Sequence, residues 1–154
     1  MPEYPPLILG VDVGANGALA FLGEGVTFVH PTPDTRMDLV VLLEEYRPSI
    51  SHAYVERARS SPQMGVTSAF SFGMSYERIL ATLTALRIQF SEVLPYTWQR
   101  GFMLKKSPGL GMSPTEKKRD HKRMAQEVFP KIKVTLQNCD ALLIAEWGRR
   151  GGGL

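Results

Sequence analysis

The sequence predicts an α/β fold, a five-stranded mixed sheet flanked by helices, and three observations carry that prediction. Residues 7–14 form a nearly continuous apolar run ending in glycine, the pattern of a strand buried on both faces. Two more β-like runs, 17–22 and 25–30, follow through very short turns, so the first three strands make an antiparallel meander. Beyond them helical and strand-like segments alternate, and the strand at 52–56, reached through a helix, is expected to run parallel to the first.

The first run carries one carboxylate, Asp12, between Val11 and Val13. An unpaired buried charge costs several kcal/mol, so Asp12 needs a cation, a hydrogen-bond network or a place at the sheet surface. A turn or capping Asp ahead of Gly14, Ala15, Asn16 and Gly17 is the other reading. His30 closes the third run before Pro31 and Pro33 and reads as a surface or turn residue.

Met37, Val40, Val41 and Tyr46, with Leu39, Leu42 and Leu43, repeat at helical spacing behind Asp34 and Thr35, which suit an N-cap; Pro48 stops the helix. Residues 52–56 are a short strand ending in a second carboxylate, Glu56. A polar loop leads to a long helix at about residues 66–87, whose wide stripe of Ala69, Phe70, Gly73, Tyr76, Leu80, Leu83 and Leu86 suits either one core or a core plus a second subunit. Residues 89–94 are the fifth strand, and 103–112, with Pro108 and two glycines, are a loop. Ser113, Pro114 and Glu116 form a helix start with N-cap, first-turn Pro and capping-box acid; the basic helix ends near Phe129. From Cys139 to Trp147 the chain is strongly apolar, with Asp140 in the first turn; Gly148 is expected to end this helix, with a flexible tail at about 149–154.

The 154 residues, 44% hydrophobic and 21% charged, suit a single globular domain spanning 1–154. Cys139 is the sole cysteine, which excludes an internal disulfide framework and a cysteine zinc site. No apolar run reaches the roughly 20 residues that span a bilayer, so a soluble, cytoplasmic protein without membrane attachment is expected. The net charge of +3 conceals an asymmetry: residues 98–133 hold ten Lys/Arg against three acids, giving +7, while the remainder is −4. Such a concentration suits a polyanion, nucleic acid above all; a solvated basic helix is the alternative.

Asp12, Glu56 and Asp140 fall at strand ends and a helix start that can converge on one sheet edge. Three carboxylates there suit Mg²⁺ or Mn²⁺, hard cations that bind phosphate oxygens and activate water. A structural Asp140, stabilised by the helix dipole, is the other reading.

At these residues a family resemblance emerges. Leu9-Gly10-Val11-Asp12-Val13-Gly14, Tyr54-Val55-Glu56-Arg57 and Asp140-Ala141-Leu142-Leu143-Ile144-Ala145, in this order across residues 7–150, resemble the RuvC-type Holliday junction resolvases of the ribonuclease H-like superfamily, in their compact phage-like form. The resemblance implies a homodimeric endonuclease that hydrolyses phosphodiesters at four-way DNA junctions in a bacterial or phage-infected cytoplasm. It implies Asp12, Glu56 and Asp140 as catalytic metal ligands for Mg²⁺, with Mn²⁺ able to substitute, and the helix at 66–87 as the dimer contact. Lys122 falls near a catalytic basic position and Arg100 near another. Arg57, Arg59, Lys105, Lys106, Lys117 and Lys118 are expected to join them on DNA; His121 beside Lys122 is a weaker candidate, a solvent-facing histidine being the commoner outcome on such a helix. Two positions depart from the family pattern: Gln137 stands where a fourth ligand is usual, and Arg59 where an aromatic wedge can occur. A nuclease for flaps or RNA–DNA hybrids and a non-catalytic branched-DNA binder are alternatives on this fold. A sugar-kinase-like or actin-like ATPase would need two such domains.

Overall fold

The structure, a computed structural model, describes residues 3–57, 59–102, 104 and 113–152. In chain order they form strands β1 (Leu7–Asp12), β2 (Ala18–Gly23) and β3 (Val26–Pro31), helix α1 (Arg36–Tyr46), β4 (Ile50–Glu56), α2 (Val66–Ala85), β5 (Phe90–Val93), α3 (Pro95–Gly101), α4 (Pro114–Val128) and α5 (Cys139–Arg149). The five strands make one sheet in the order β3-β2-β1-β4-β5. β1, β2 and β3 pair antiparallel, while β4 is parallel to both β1 and β5. This is the mixed sheet that the meander and the helical crossovers predict.

Strand alternation divides the core into two layers. Leu7, Leu9, Val11, Ala53 and Val55 pack on one face with Leu39 and Leu43 of α1 and Ile79 and Leu83 of α2. The opposite face carries Ala18, Ala20 and Leu22 of β2 against α5, with Trp98 of α3 and Ala125 of α4. Because Val11 faces α1 and α2, its neighbour Asp12 must face α5. Val55 fixes Glu56 on that same face in the same way.

α5 is the central helix, buried from Cys139 through Gly148, as a helix apolar on all sides requires. Its close seat on β1 depends on Gly10: a Cβ there would lie 2.3 Å from the Ala141 carbonyl oxygen and 2.5 Å from the Ala145 nitrogen. Gly148 does not end this helix, contrary to expectation. It lies inside it because the Tyr54 ring fills the space a side chain would need, 2.2 Å from an added Cβ. The helix stops after Arg149, where Gly151 takes φ +76° and the Gly152 amide bonds the Trp147 carbonyl at 3.0 Å. The chain through Gly152 is thus packed back on α5, and only the end of the expected tail lies outside the described residues.

α1 is capped by Thr35 and α4 by the expected capping box, in which Ser113 and Glu116 exchange hydrogen bonds. α3 is absent from the sequence-based expectation. It spans only 7 residues, too few for an apolar period, although Pro95 at its start is a usable signal. α2 has two unlike halves: Ile79, Thr82 and Leu83 are buried, whereas Val66, Phe70 and Met74 are 87%, 69% and 47% exposed. Among the described residues no helix is long and apolar enough to cross a membrane.

Candidate active site

Val11 pairs with Val55 in the parallel β1–β4 ladder, so Asp12 and Glu56 follow side by side at the carboxyl ends of adjacent strands. Asp140 comes over them from the first turn of α5. A closely knit turn sets that helix start: Asn138 Oδ1 accepts from the Thr135 amide at 2.8 Å, and its Nδ2 donates to the Lys133 carbonyl at 3.1 Å. Asp12 and Asp140 are both buried, at 8% and 7% exposure.

Each acid has different partners. Asp140 Oδ2 lies 2.5 Å from Lys118 Nζ, and its Oδ1 lies 2.9 Å from His121 Nδ1. Lys118 also reaches Asp12 Oδ2, at 3.5 Å. Glu56 Oε2 accepts a 2.6 Å hydrogen bond from Trp98 Nε1. The His121 ring stands edge-on to Trp98 with centroids 5.3 Å apart, so the groups that hold Glu56 and Asp140 are themselves packed together.

These surroundings separate the acids electrostatically. Burial, with the Asp140 charge next and Glu56 adding to it, pushes Asp12 up to about 7, although Lys118 pulls the other way. Glu56 is raised to about 7 by burial and then by Asp140, with the Trp98 hydrogen bond and Lys118 opposing. Burial works against ionised Asp140 too, but the His121 hydrogen bond and Lys118 outweigh it and hold its pKa below the usual carboxylate value. Asp140, with two close donors, is the settled anion of the set. As an acceptor-only carboxylate it requires the hydrogen on His121 Nδ1. Burial works against the Lys118 charge, yet Asp140 and Asp12 more than compensate and raise its pKa. Neighbouring Cys139 is pushed up to about 12 by burial and by Asp140, so its thiol is not a thiolate nucleophile near neutral pH.

Among the described residues no group of three or more His, Cys, Asp and Glu side chains is gathered tightly enough to enclose a metal ion. The donor set nevertheless fits Mg²⁺, which is held by one or two carboxylates and completes its octahedron with water and substrate phosphate. Two neighbouring acids that resist ionisation through burial and the nearby Asp140 charge are what a divalent cation relieves.

The other sequence-derived site residues are distributed around this edge. Gln137 is exposed, and its amide donates to the Gly17 carbonyl at 3.5 Å, at the end of the β1–β2 turn. Arg57 and Arg59 are exposed in the segment leaving β4, and Arg100 is exposed in the last turn of α3. Lys117 and Lys122 are exposed on α4, flanking the half-buried Lys118. Lys105 and Lys106 lie outside the described residues.

One placement differs from expectation. His121, expected in solvent, is 5% exposed, because α4 lays it with Ala125 against α5. The ammonium against the carboxylates is that of Lys118, whereas Lys122, one turn later, is exposed. A signal was present: Lys118, His121 and Ala125 stand at i, i+3 and i+7, one helical face. Trp98, fully buried and donating to Glu56, carries no sequence signal beyond being a Trp in a short Pro-initiated segment.

A β3-β2-β1-β4-β5 sheet with helices on both faces is the ribonuclease H-like fold. Within that fold the chain is similar to two solved structures of RuvC from Thermus thermophilus. One, in complex with a Holliday junction substrate, is 15% identical with a TM-score of 0.64; the other is 16% identical with a TM-score of 0.59. Each comparison covers 95% of this chain and 97% of the other. No protein-family model and no curated protein sequence matches the chain.

Proposed function

We propose that this protein is a divalent-metal-dependent endonuclease that cuts four-way DNA junctions. The observation that carries the reading is the placing of Asp12 and Glu56 at the ends of neighbouring parallel strands with Asp140 above them, on a fold shared along almost its whole length with a junction-bound protein.

Asp12, Glu56 and Asp140 are the residues that would hold Mg²⁺ or Mn²⁺, with Gln137 a neutral oxygen at the rim. When bound, the metal supplies Lewis acidity toward the phosphodiester and an activated water. The chain's own groups do the rest. Trp98 and His121 fix the rotamers of Glu56 and Asp140, which keeps the acids aimed without reorganisation. The Lys118 ammonium, beside Asp12 and Asp140, supplies positive charge facing the scissile phosphate. Arg57, Arg59, Arg100, Lys117 and Lys122, with Lys105 and Lys106 of the neighbouring segment, bind backbone phosphates and orient the branch; Lys122 thereby serves binding and catalysis together.

Nicking two opposed strands in concert requires two copies of the site related by a two-fold axis. The exposed Val66, Phe70 and Met74 of α2 are the surface that would pair the protomers. The same reading places the protein in a bacterial or phage-infected cytoplasm, where such DNA is found.

The test is cleavage of a synthetic four-way junction, a linear duplex and an RNA–DNA hybrid in the presence of Mg²⁺. The expected result is paired, symmetry-related nicks in the junction and poor cutting of the other two. Equal cleavage of all three substrates, or junction binding with no cleavage under any divalent cation, would overturn the proposal.

A further inference from the structure

We infer that Lys118 stands in for one of the two cations that a phosphodiesterase site of this kind can use, so that each protomer binds a single divalent ion against Asp12 and Glu56. The inference rests on the metal-dependent reading above and narrows it by fixing the number and place of the ions, with Asp140 serving the site through Lys118 and not on the ion.

Three observations converge on it. The first is the direction of Lys118. It lies on the face of α4 that also carries buried His121 and Ala125, so helix geometry sends its side chain toward α5 and away from solvent. The ammonium then sits 2.5 Å from Asp140 Oδ2 and 3.5 Å from Asp12 Oδ2, which is the bridging position between those two carboxylates.

The second is the commitment of the Asp140 oxygens. One is engaged by Lys118 and the other by His121 at 2.9 Å. By contrast, among the described residues Asp12 Oδ1 and Glu56 Oε1 receive no hydrogen bond, while Glu56 Oε2 is held by Trp98 at 2.6 Å. The open oxygens of adjacent strands therefore belong to Asp12 and Glu56.

The third is the supply of anionic ligands. Two ions about 4 Å apart share several carboxylates, and Mg²⁺ in such a site takes at least one or two of them. Among the described residues, no three acid, His or Cys side chains form a group that could hold one metal ion, and the residue three before Asp140 is the neutral Gln137. One divalent ion on Asp12 and Glu56, with the ammonium on Asp140, brings two cations to three acids without a fourth.

Counting ions tests the inference apart from any activity. Purified protein is titrated with Mn²⁺, free ion is followed by electron paramagnetic resonance, and binding heat is measured in parallel. The expected result is one Mn²⁺ per chain in the wild type, one in Lys118→Arg, and two in Lys118→Met, which keeps the aliphatic stem and removes the charge. Two ions per wild-type chain would overturn the inference while leaving the nuclease reading intact, and that count does not depend on any variant folding. A second ion failing to appear in folded Lys118→Met would likewise overturn it. No Mn²⁺ bound at all would overturn the metal-dependent reading itself.

Discussion

His121 donates from Nδ1 to Asp140 Oδ1 across 2.9 Å, and both residues are buried, at 5% and 7% exposure. The imidazole thus fixes the rotamer of an acid in the first turn of α5 from a different helix. Removing a hydrogen bond that orients a metal-binding carboxylate typically costs about 10–100-fold in metal affinity or activity. His121→Ala is expected to lower junction cleavage in that range, and His121→Asn, whose amide can replace the Nδ1 hydrogen, to recover most of it. Equal loss in both variants, tracking their melting temperatures, would reduce His121 to a packing residue.

The raised carboxylates make a prediction about stability and pH. Folded Asp12 and Glu56 keep their protons up to about 7, whereas in the unfolded chain they release them near about 4. Between those values the folded state binds more protons, so stability is fullest below about pH 4 and declines as the pH rises to about 7. Asp140 works in the opposite sense. Its lowered pKa contributes stability above about pH 4 that is lost in stronger acid, a separate window. The metal-free protein should therefore melt at a lower temperature at about pH 8 than at about pH 5, with a smaller decline in Asp12→Asn and on adding Mg²⁺. A melting temperature that is flat or rises over that interval would contradict the assignment.

Gly10 tests how α5 is held. With backbone atoms of Ala141 and Ala145 within 2.5 Å of an added Cβ, Gly10→Ala must push the helix off β1 and carry Asp140 with it. Overpacking of this kind costs about 3 kcal/mol, to be read from a denaturant melt. A change under about 1 kcal/mol would show that the helix and strand can separate without loss.

The exposed stripe of α2 bears on assembly. Val66, Phe70 and Met74, spaced four apart, lie on one helical face and are 87%, 69% and 47% exposed. Sedimentation should find a dimer, and Phe70→Asp should convert it to a folded monomer. A wild-type monomer at micromolar concentration, or a Phe70→Asp dimer, would remove α2 from the interface.

What the sequence disclosed and what it hid divide along a physical line. Local rules sufficed for the apolar strand around Asp12, for the short strand that ends in Glu56, and for the Ser113–Glu116 capping box, because each signal sits within a few residues. The missed features depend on contacts between distant segments. Gly148 reads as a helix terminator until Tyr54, 94 positions earlier in the chain, is seen to occupy its side-chain space. Trp98 gains its role only when α3 meets β4. His121 and Lys118 look like members of a solvated basic helix, and only the docking of α4 on α5 turns them toward Asp140. Carboxylate positions were legible from local pattern; of the side chains that aim and neutralise them, Lys118 and His121 showed only as members of one helical face, and Trp98 not at all.

The most direct test of the central claim is to measure junction binding and junction cleavage side by side for wild type and Asp12→Asn. The substitution keeps the size and shape of the side chain and removes the charge from the acid between Glu56 and Asp140. Binding of a four-way junction within about threefold of wild type, with paired nicking in Mg²⁺ lost by at least about a thousandfold, is the predicted result of losing one metal-binding carboxylate. Asp12→Asn cutting junctions at a rate close to wild type would contradict the account.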